Sequence, residues 1–476
     1  MGNTGAVSTV IRNATPSIFP TASGGTGTIN YSLSGSQNYI VSSGGTVVAP
    51  ISLANSTGAT NTGLVTTGTT ANNGALLAIN GGSVTSIFRR GDLAGNDAGT
   101  DFYMGSPNTS LNTQAVNSSG RVAFVNALQG STIITTTTST SVATNPNFVG
   151  TRNDNIIGLS TPSSGVYGAP TILARAGNQA AGLPTNVVYD NFSAPTINNA
   201  GNVAFLATLR NGVAGAGVSP VSGAGQNNNA LFSNVSGMLT AVARQGSPIL
   251  PGDTRTFGSF SNMSLNGQGT ITFASGLGGT GGGLTNIFQA FPDGRVTNVL
   301  PGTFPAGLTS EIFGSNIPAG TGVGTIQAMA VNGRNQIAIY TILSNNALGV
   351  DPTNNRALLA TDPYGNWHLI ARSGDFWAAN EGGAGTVSTP LNGLRQIASS
   401  AFGLAGGSGG QDGRSMAWND DGTLTFTVNF NDSSNPFITG GSSGTTGVYT
   451  VSIVPAPGAA GMLAAAGLMA SRRRRA

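Results

Sequence analysis

Few side chains in this sequence are equipped for chemistry. His368 is the single histidine, cysteine is absent, and the acids are fourteen Asp and two Glu, Glu311 and Glu381. A Ser-His-Asp or Cys-His relay therefore has one candidate base at most, and a multi-His or Cys-built metal site lacks its ligands. Glycoside hydrolysis needs two carboxyls facing each other across a cleft, and no spacing of the acids marks such a pair. His368 takes the place that Thr85, Thr171 and Thr240 occupy in parallel segments. A position so open to exchange reads, with its neighbour Trp367, as structural or surface.

Arg89, Arg175, Arg244 and Arg372 each stand just before a Gly turn. A ring of guanidinium groups would bind anionic glycans. Repetition at one structural place suits a scaffold better, with each Arg bonding sheet carbonyls or the following Asp92 or Asp375. Arg90-Gly91-Asp92 spells an adhesion tripeptide, but its counterparts read Ala-Gly-Asn, Gln-Gly-Ser and Ser-Gly-Asp, so it reads as one version of a turn. Asn419-Asp420-Asp421-Gly422 and Asn96-Asp97 with Asp101 are oxygen-rich. Neither completes a Ca²⁺ loop, and turn chemistry accounts for both. The expectation is no catalytic residue, no cofactor and no metal.

These residues sit on a repeated unit, seen most clearly from Asn227 to Leu277. It reads as four short strands: Ala230 to Phe232, Leu239 to Arg244, Phe260 to Leu265 and Thr270 to Leu277. The last two are joined by Asn266-Gly267-Gln268-Gly269, where Asn bonds its own backbone and Gly accepts positive φ. The same Asn-x-x-Gly hairpin recurs at Asn117 to Gly120, Asn198 to Gly201 and Asn419 to Gly422. A fifth copy begins at Asn332 and has Asn335 in place of Gly, the next-best residue for that backbone. An apolar residue precedes each Asn. After the turn, Val122/Phe124/Leu128, Val203/Phe205/Leu209 and Ile271/Phe273/Leu277 keep the even spacing of one strand face. The Arg-bearing strand repeats at Val84 to Gly91, Pro170 to Gly177 and Trp367 to Gly374, while Val296 to Leu300 has lost its Arg.

Composition agrees. Of 476 residues, 39% are hydrophobic and only 7% charged, which fits short strands and many turns. All 19 basic residues are Arg, and four of them lie in the last five positions. Basicity therefore belongs to the tail, and nothing suggests a nucleic-acid partner. Units of four strands cannot bury both sheet faces alone, so neighbours must stack. The expected fold is all-β: a propeller-like ring of about six four-stranded repeats, five full and one split between the termini, with a short C-terminal helix. A five-bladed ring or another packed β array is the alternative. The repeats fall near 72–130, 153–215, 227–280, 284–345 and 354–432, with a closing strand at 447–454. The repeat domain spans 31–454, after a flexible segment 1–30 that lacks the charged and apolar regions of a secretory signal. Residues 131–145 read as a low-complexity loop, and Gly403 to Gly413 as mobile.

The arrangement resembles the bacterial choice-of-anchor tandem-repeat proteins with the NxxGxxAF signature, over roughly residues 72–454. Two motifs carry the likeness, Ala-Arg-x-Gly-Asp and then Asn-x-x-Gly-x-x-Ala-Phe. The resemblance implies a surface-exposed repeat protein and supplies no catalytic residues. After residue 454, Pro455 and Pro457 precede an apolar run, Gly458 to Ala470, and then Arg472, Arg473, Arg474 and Arg475. Thirteen residues are short of the roughly 20 a stable span requires, and arginines favour the cytoplasmic side. This tail, 455–476, resembles PEP-CTERM sorting signals, with Ala456 where that class usually has Glu. It implies a transient membrane contact, a sorting or processing protease as partner, and an extracytoplasmic address. The expected function is a non-enzymatic surface or matrix protein with a structural, adhesion or binding role. Its rival is a propeller enzyme, or a glycan-binding module, acting on extracellular polysaccharide.

Overall fold

A computed structural model describes residues 11–453 except 22, 24, 34–38, 58, 61, 66–70, 95–102, 106–113, 131–132, 134–152, 220–224, 251, 279–284, 301–302, 305–306, 310–315, 345–348, 379–393, 404–416 and 432–445. Among the described residues the chain is all-β, built of antiparallel sheets. It divides into two compact units, Met1–Leu300 with Gly407–Met416, and Pro301–Gly406 with Ala417–Ala476.

Among the described residues the first unit holds four sheets of four or five strands, each with its strands in chain order, and one two-stranded hairpin. The first sheet runs Ile29–Ser32, Val47–Asn55, Gly74–Asn80, Ser83–Arg89, with Ile40–Val41 also on the second strand. The second sheet has Tyr103–Met104 and Gln114–Val116 on Val122–Gln129, then Asn155–Ser160 and Thr171–Arg175. Val187–Phe192 and Thr196–Ile197 share the edge of the third, followed by Val203–Asn211, Asn229–Ser233 and Thr240–Arg244. Thr256–Leu265, Ile271–Gly278, Thr285–Ala290 and Val296–Leu300 make the fourth. The second unit repeats the plan in a fifth sheet, Thr321–Val331, Ile337–Leu343, Arg356–Thr361 and Trp367–Arg372, and in a sixth, Leu394–Gly403, Thr423–Asn431 and Thr446–Ser452.

The strands lie where the repeats place them, but the sheet frame is shifted by two strands. The second to fifth sheets begin with the Asn-x-x-Gly hairpin and take their last two strands from what reads as the next repeat. The described strands expected to share a split sheet pair elsewhere. Thr446–Ser452 pairs with Thr423–Asn431, and the N-terminal Val47–Asn55 pairs with Gly74–Asn80. The reason is physical: the hydrogen-bonding edge of an opening strand is satisfied by the hairpin just before it. The described part of segment 1–30, expected to be flexible, packs along the first sheet, with Ala14 N donating to Tyr31 O at 2.9 Å and Ser17 N to Ile29 O at 2.8 Å. The loop at 131–145 lies outside the described residues apart from Ile133. The tail 455–476 and Leu404 to Gly413 lie wholly outside them.

Central strands are apolar on both faces where a sheet is covered on both sides, as the third is. In Val203–Asn211, Val203, Phe205, Ala207 and Leu209 enter a core with Phe232 and the second sheet's Ala123 and Ile157. Ala204 points the other way, into a core with its own sheet's Leu231 and with Phe273 and Phe288 of the fourth sheet. The even spacing read from the sequence marks the large side chains. On the opposite face Ala123, Ala204 and Ala274 are buried too, and pairing a large face with a small one lets sheets pack closely. The fifth and sixth sheets share a comparable core around Tyr340, Trp418, Phe426 and Phe430.

Candidate functional site: the repeated turns

Every Asn-x-x-Gly turn closes in one way. The Asn amide donates to the carbonyl four residues on, and the fourth residue's amide donates back to the Asn carbonyl, at 2.9–3.2 Å in all five copies. That fourth residue has positive φ: 80° at Gly120, 83° at Gly201, 85° at Gly269 and Gly422, and 64° at Asn335. Asn replaces Gly there because its short polar side chain tolerates the left-handed region. The Asn Oδ1 accepts the amide four residues on, at 2.9 Å for Asn117, Asn198 and Asn266, 3.0 Å for Asn332 and 2.8 Å for Asn419.

In three copies the other half of the amide leaves its own sheet. Asn117 Nδ2 donates to Asn198 O at 3.1 Å, and Asn198 Nδ2 to Asn266 O at 2.9 Å. In the second unit Asn332 Nδ2 donates to Asn419 O at 3.1 Å. Asn117, Asn198 and Asn332 thus cap their own turns and donate a hydrogen bond to the same turn of the following sheet. Asn117, Asn198, Asn266 and Asn332 are buried, so every polar atom there needs a partner. The next turn residue adds a second rung: Ser118 N donates to Asn199 Oδ1 at 2.8 Å, and Gly333 N to Asp420 Oδ1 at 2.7 Å. Asp420, a Ca²⁺ candidate from the sequence, is spent on this link. Asn96, Asp97 and Asp101 lie outside the described residues, as do Glu311 and Glu381.

Ser42-Ser43-Gly44-Gly45, which the sequence places as the join between two N-terminal strands, does join Ile40–Val41 to Val47–Asn55 and is a sixth turn of this set, a kinship sequence reasoning missed. Ser42 takes the place of Asn, its Oγ accepting Thr46 N at 3.0 Å, and Gly45 has φ 80°. The signal was present: an apolar Val41 before it and the run Val47-Val48-Ala49 after. A Cβ on Gly44 would lie 2.1 Å from Ser118 O, so here the turns meet backbone to backbone.

The four arginines also share one role. Arg89, Arg175, Arg244 and Arg372 each donate Nε to the carbonyl of the Asn preceding the opening strand: Asn72, Asn153, Asn227 and Asn354, at 2.8, 3.1, 3.0 and 2.6 Å. Burial lowers the guanidinium pKa of Arg89, Arg244 and Arg372, against a raising influence of Asp92 on Arg89 and of Asp375 and Asp351 on Arg372. Asp92 and Asp375 accept the backbone amides of Arg89 and Arg372 at 2.6 and 2.9 Å. The Gly after each Arg crosses to the next sheet. Gly91, Gly177, Gly246 and Gly374 donate to Met104, Tyr189, Phe257 and Ile397 O at 2.8–2.9 Å, and those residues donate back to the residue after the Gly at 2.7–3.0 Å. Arg90-Gly91-Asp92 is one of these junctions.

His368 Nε2 stands 3.4 Å from Asp362 Oδ2. Asp362 heads a turn of the same form, with Oδ1 accepting Tyr364 N at 2.8 Å and Asn366 N at 2.9 Å. Among the described residues no group of three or more His, Cys, Asp or Glu could hold a metal ion. Pro455, Pro457 and Arg472 to Arg475 are outside the described residues.

Stacked antiparallel sheets tied turn to turn define a propeller-like repeat scaffold. The chain belongs to a family of unknown function, DUF7453, which matches residues 12–292 and 313–458. No curated protein matches it. Among solved structures, an oligogalacturonate lyase in complex with manganese is similar to it at 12% identity and a TM-score of 0.35, over 80% of this chain and 71% of that one. A polysaccharide lyase is similar at 10% identity and 0.35, over 90% and 78%. A protein of unknown function from Dyadobacter fermentans follows at 10% and 0.31, over 87% and 93%. Likenesses this distant do not bear on activity.

Proposed function

We propose that this is a non-enzymatic repeat protein of the cell exterior, serving adhesion or the build of the envelope or matrix. The observation that carries this reading is how the recurring polar groups are used. The Asn, Arg and Asp residues that repeat along the chain spend their hydrogen bonds on neighbouring turns and sheets. A catalytic centre would instead gather such groups at one place, with shifted acid–base behaviour. The sorting-like tail supplies the address: its apolar run holds the membrane while a processing protease removes the arginines. Extracellular polysaccharide is the natural surrounding of such a scaffold.

Intact-mass analysis of the native protein tests the address, which predicts a mature chain lacking Arg472 to Arg475. Recovery of an extracellular peptide ending in Arg475-Ala476 would sink it. Incubating the purified protein with polygalacturonate and neutral glucans, and measuring new reducing ends and unsaturated products, tests the rest. Sustained turnover would overturn the non-enzymatic reading.

A further inference from the structure

The connection between third and fourth strands is a short turn in the first, third, fourth and fifth sheets. In the second sheet it is longer and folds into a hairpin of its own, Pro162–Ser163 against Val166–Tyr167. Neither the Asn links nor the Arg links use it. The hairpin is fixed in place nonetheless. Tyr167 donates its hydroxyl to Gly120 O at 2.6 Å, and its ring packs against the core between the first and second sheets. Burial pushes the phenol up to about 12, so it stays a neutral donor at physiological pH.

Between this hairpin and the first sheet lies a cleft of about 470 Å³, within the range of roughly 300–1,000 Å³ usual for small-ligand sites. Tyr167 and Pro162 form one wall; Asn80, Ser83 and Thr85 form the other. Among the described residues no charged side chain lines it. Hydroxyls and amides both donate and accept, which matches a ligand whose own polar groups are hydroxyls. An aromatic ring beside them offers a face for apolar C–H groups. Beyond Tyr167 the surface opens into a second cleft of about 410 Å³ past Ser86, Asp92 and Leu93; the Ser86 hydroxyl is buried there with no partner, and the Asp92 carboxylate on its wall accepts hydroxyls and disfavours an anionic chain.

We propose that this cleft binds a segment of neutral polysaccharide, one pyranose ring lying against Tyr167 and its hydroxyls bonded by Asn80, Ser83 and Thr85. A longer chain continues past Tyr167 to Ser86. The proposal depends neither on the sorting tail nor on the absence of catalysis.

The test uses the purified full-length chain with cellohexaose, laminarihexaose and mannohexaose, and hexagalacturonate as the anionic control. Saturation-transfer NMR detects contact, and calorimetry gives affinity. At least one neutral hexasaccharide is expected to bind. Tyr167→Ala should weaken that binding roughly tenfold, the scale of one aromatic contact. Ser83→Trp fills the cleft from an exposed position clear of the core and should abolish binding with the melting temperature kept. This second variant decides the matter if Tyr167→Ala fails to fold. No contact from any neutral hexasaccharide, binding that survives Ser83→Trp, or binding of hexagalacturonate alone would each overturn the proposal.

Discussion

The hairpin between a sheet's first and second strands and the hairpin between its third and fourth share one backbone design. At Asp362-Pro363-Tyr364-Gly365 and Phe291-Pro292-Asp293-Gly294 the two closing bonds measure 2.9–3.0 Å, as in the Asn-x-x-Gly turns, and the fourth residue is again Gly with φ 84°. The first residue differs. Asp362 accepts the same amides that Asn accepts, while Phe291 accepts none through its side chain and the turn still forms. Turn geometry therefore requires a fourth residue that accepts positive φ, Gly or, at Asn335, Asn, and does not require Asn at the first. Asn recurs on the first hairpin because its Nδ2 must reach a carbonyl in the next sheet, a task neither Asp nor Phe can perform.

The largest effect should come from the one place where these turns touch without a side chain between them. Gly44→Ala drives a Cβ into Ser118 O and should cost about 3 kcal/mol, at the upper end of overpacking. Gly45→Ala, at φ 80° with open space around it, should cost only about 1–2 kcal/mol from backbone strain. Thermal melts of both variants measure the difference. Equal losses would mean that the first and second sheets do not approach as described.

Asn198 divides the turn role from the linking role. Asn198→Ala removes both the cap and the bond to Asn266 O in a buried site, for about 2–3 kcal/mol. Asn198→Asp keeps the cap but turns a carboxylate oxygen toward that carbonyl, and should cost at least as much. Asp362→Asn, in the matching turn, should cost about 1 kcal/mol or less. If Asn198→Asp melts like the wild type, the residue is only a cap.

Smaller losses are expected where the Arg-x-Gly junctions cross. Arg244→Met forfeits the bond to Asn227 O in a part-buried place, for about 1 kcal/mol. Ser247→Ala should stay within about 0.5 kcal/mol, because only its backbone carbonyl receives Phe257 N. Denaturant midpoints resolve the two. A Ser247→Ala loss matching that of Arg244→Met would return the junction to side-chain chemistry.

This contrast explains what the sequence made legible. Where a side chain carries the link, as at Asn117, Asn198 and Asn332, residue type and spacing repeat, so the turns can be read directly. Where the backbone carries it, as at Gly177 and Gly246, the flanking residues drift from Asp to Asn to Ser and only the glycine marks the place. The sheet frame was not legible, because hairpin spacing is the same whether Ala230 to Phe232 opens one sheet or serves as the third strand of another. Register decides that, and register depends on partners distant in sequence. The Tyr167 cleft was hidden for a similar reason: its walls come from segments about 80 residues apart, brought together by sheet stacking.

The smallest expected effect is a pH dependence that one hairpin has and its counterpart lacks. Burial disfavours ionisation of Asp362, but bonds from the Asn366 side chain, the Asn366 and Tyr364 amides and His368 outweigh it, so its carboxyl titrates below the ordinary 3.8. A folded pKa below the unfolded one means the charged form is favoured by folding. Its contribution is therefore complete above the unfolded value and fades as pH falls through the folded one. The difference in melting temperature between wild type and Asp362→Asn should be constant from pH 7 to about 5 and shrink below about 4. Taking the difference cancels the other carboxylates, which titrate in both proteins. Substitution of Phe291, which heads its turn without an acid, should shift the melt equally at every pH. A gap for Asp362→Asn that persists unchanged to pH 3 would show that the charge contributes nothing and that Asp362, like Asn in the partner hairpin, acts only through the geometry of its oxygens.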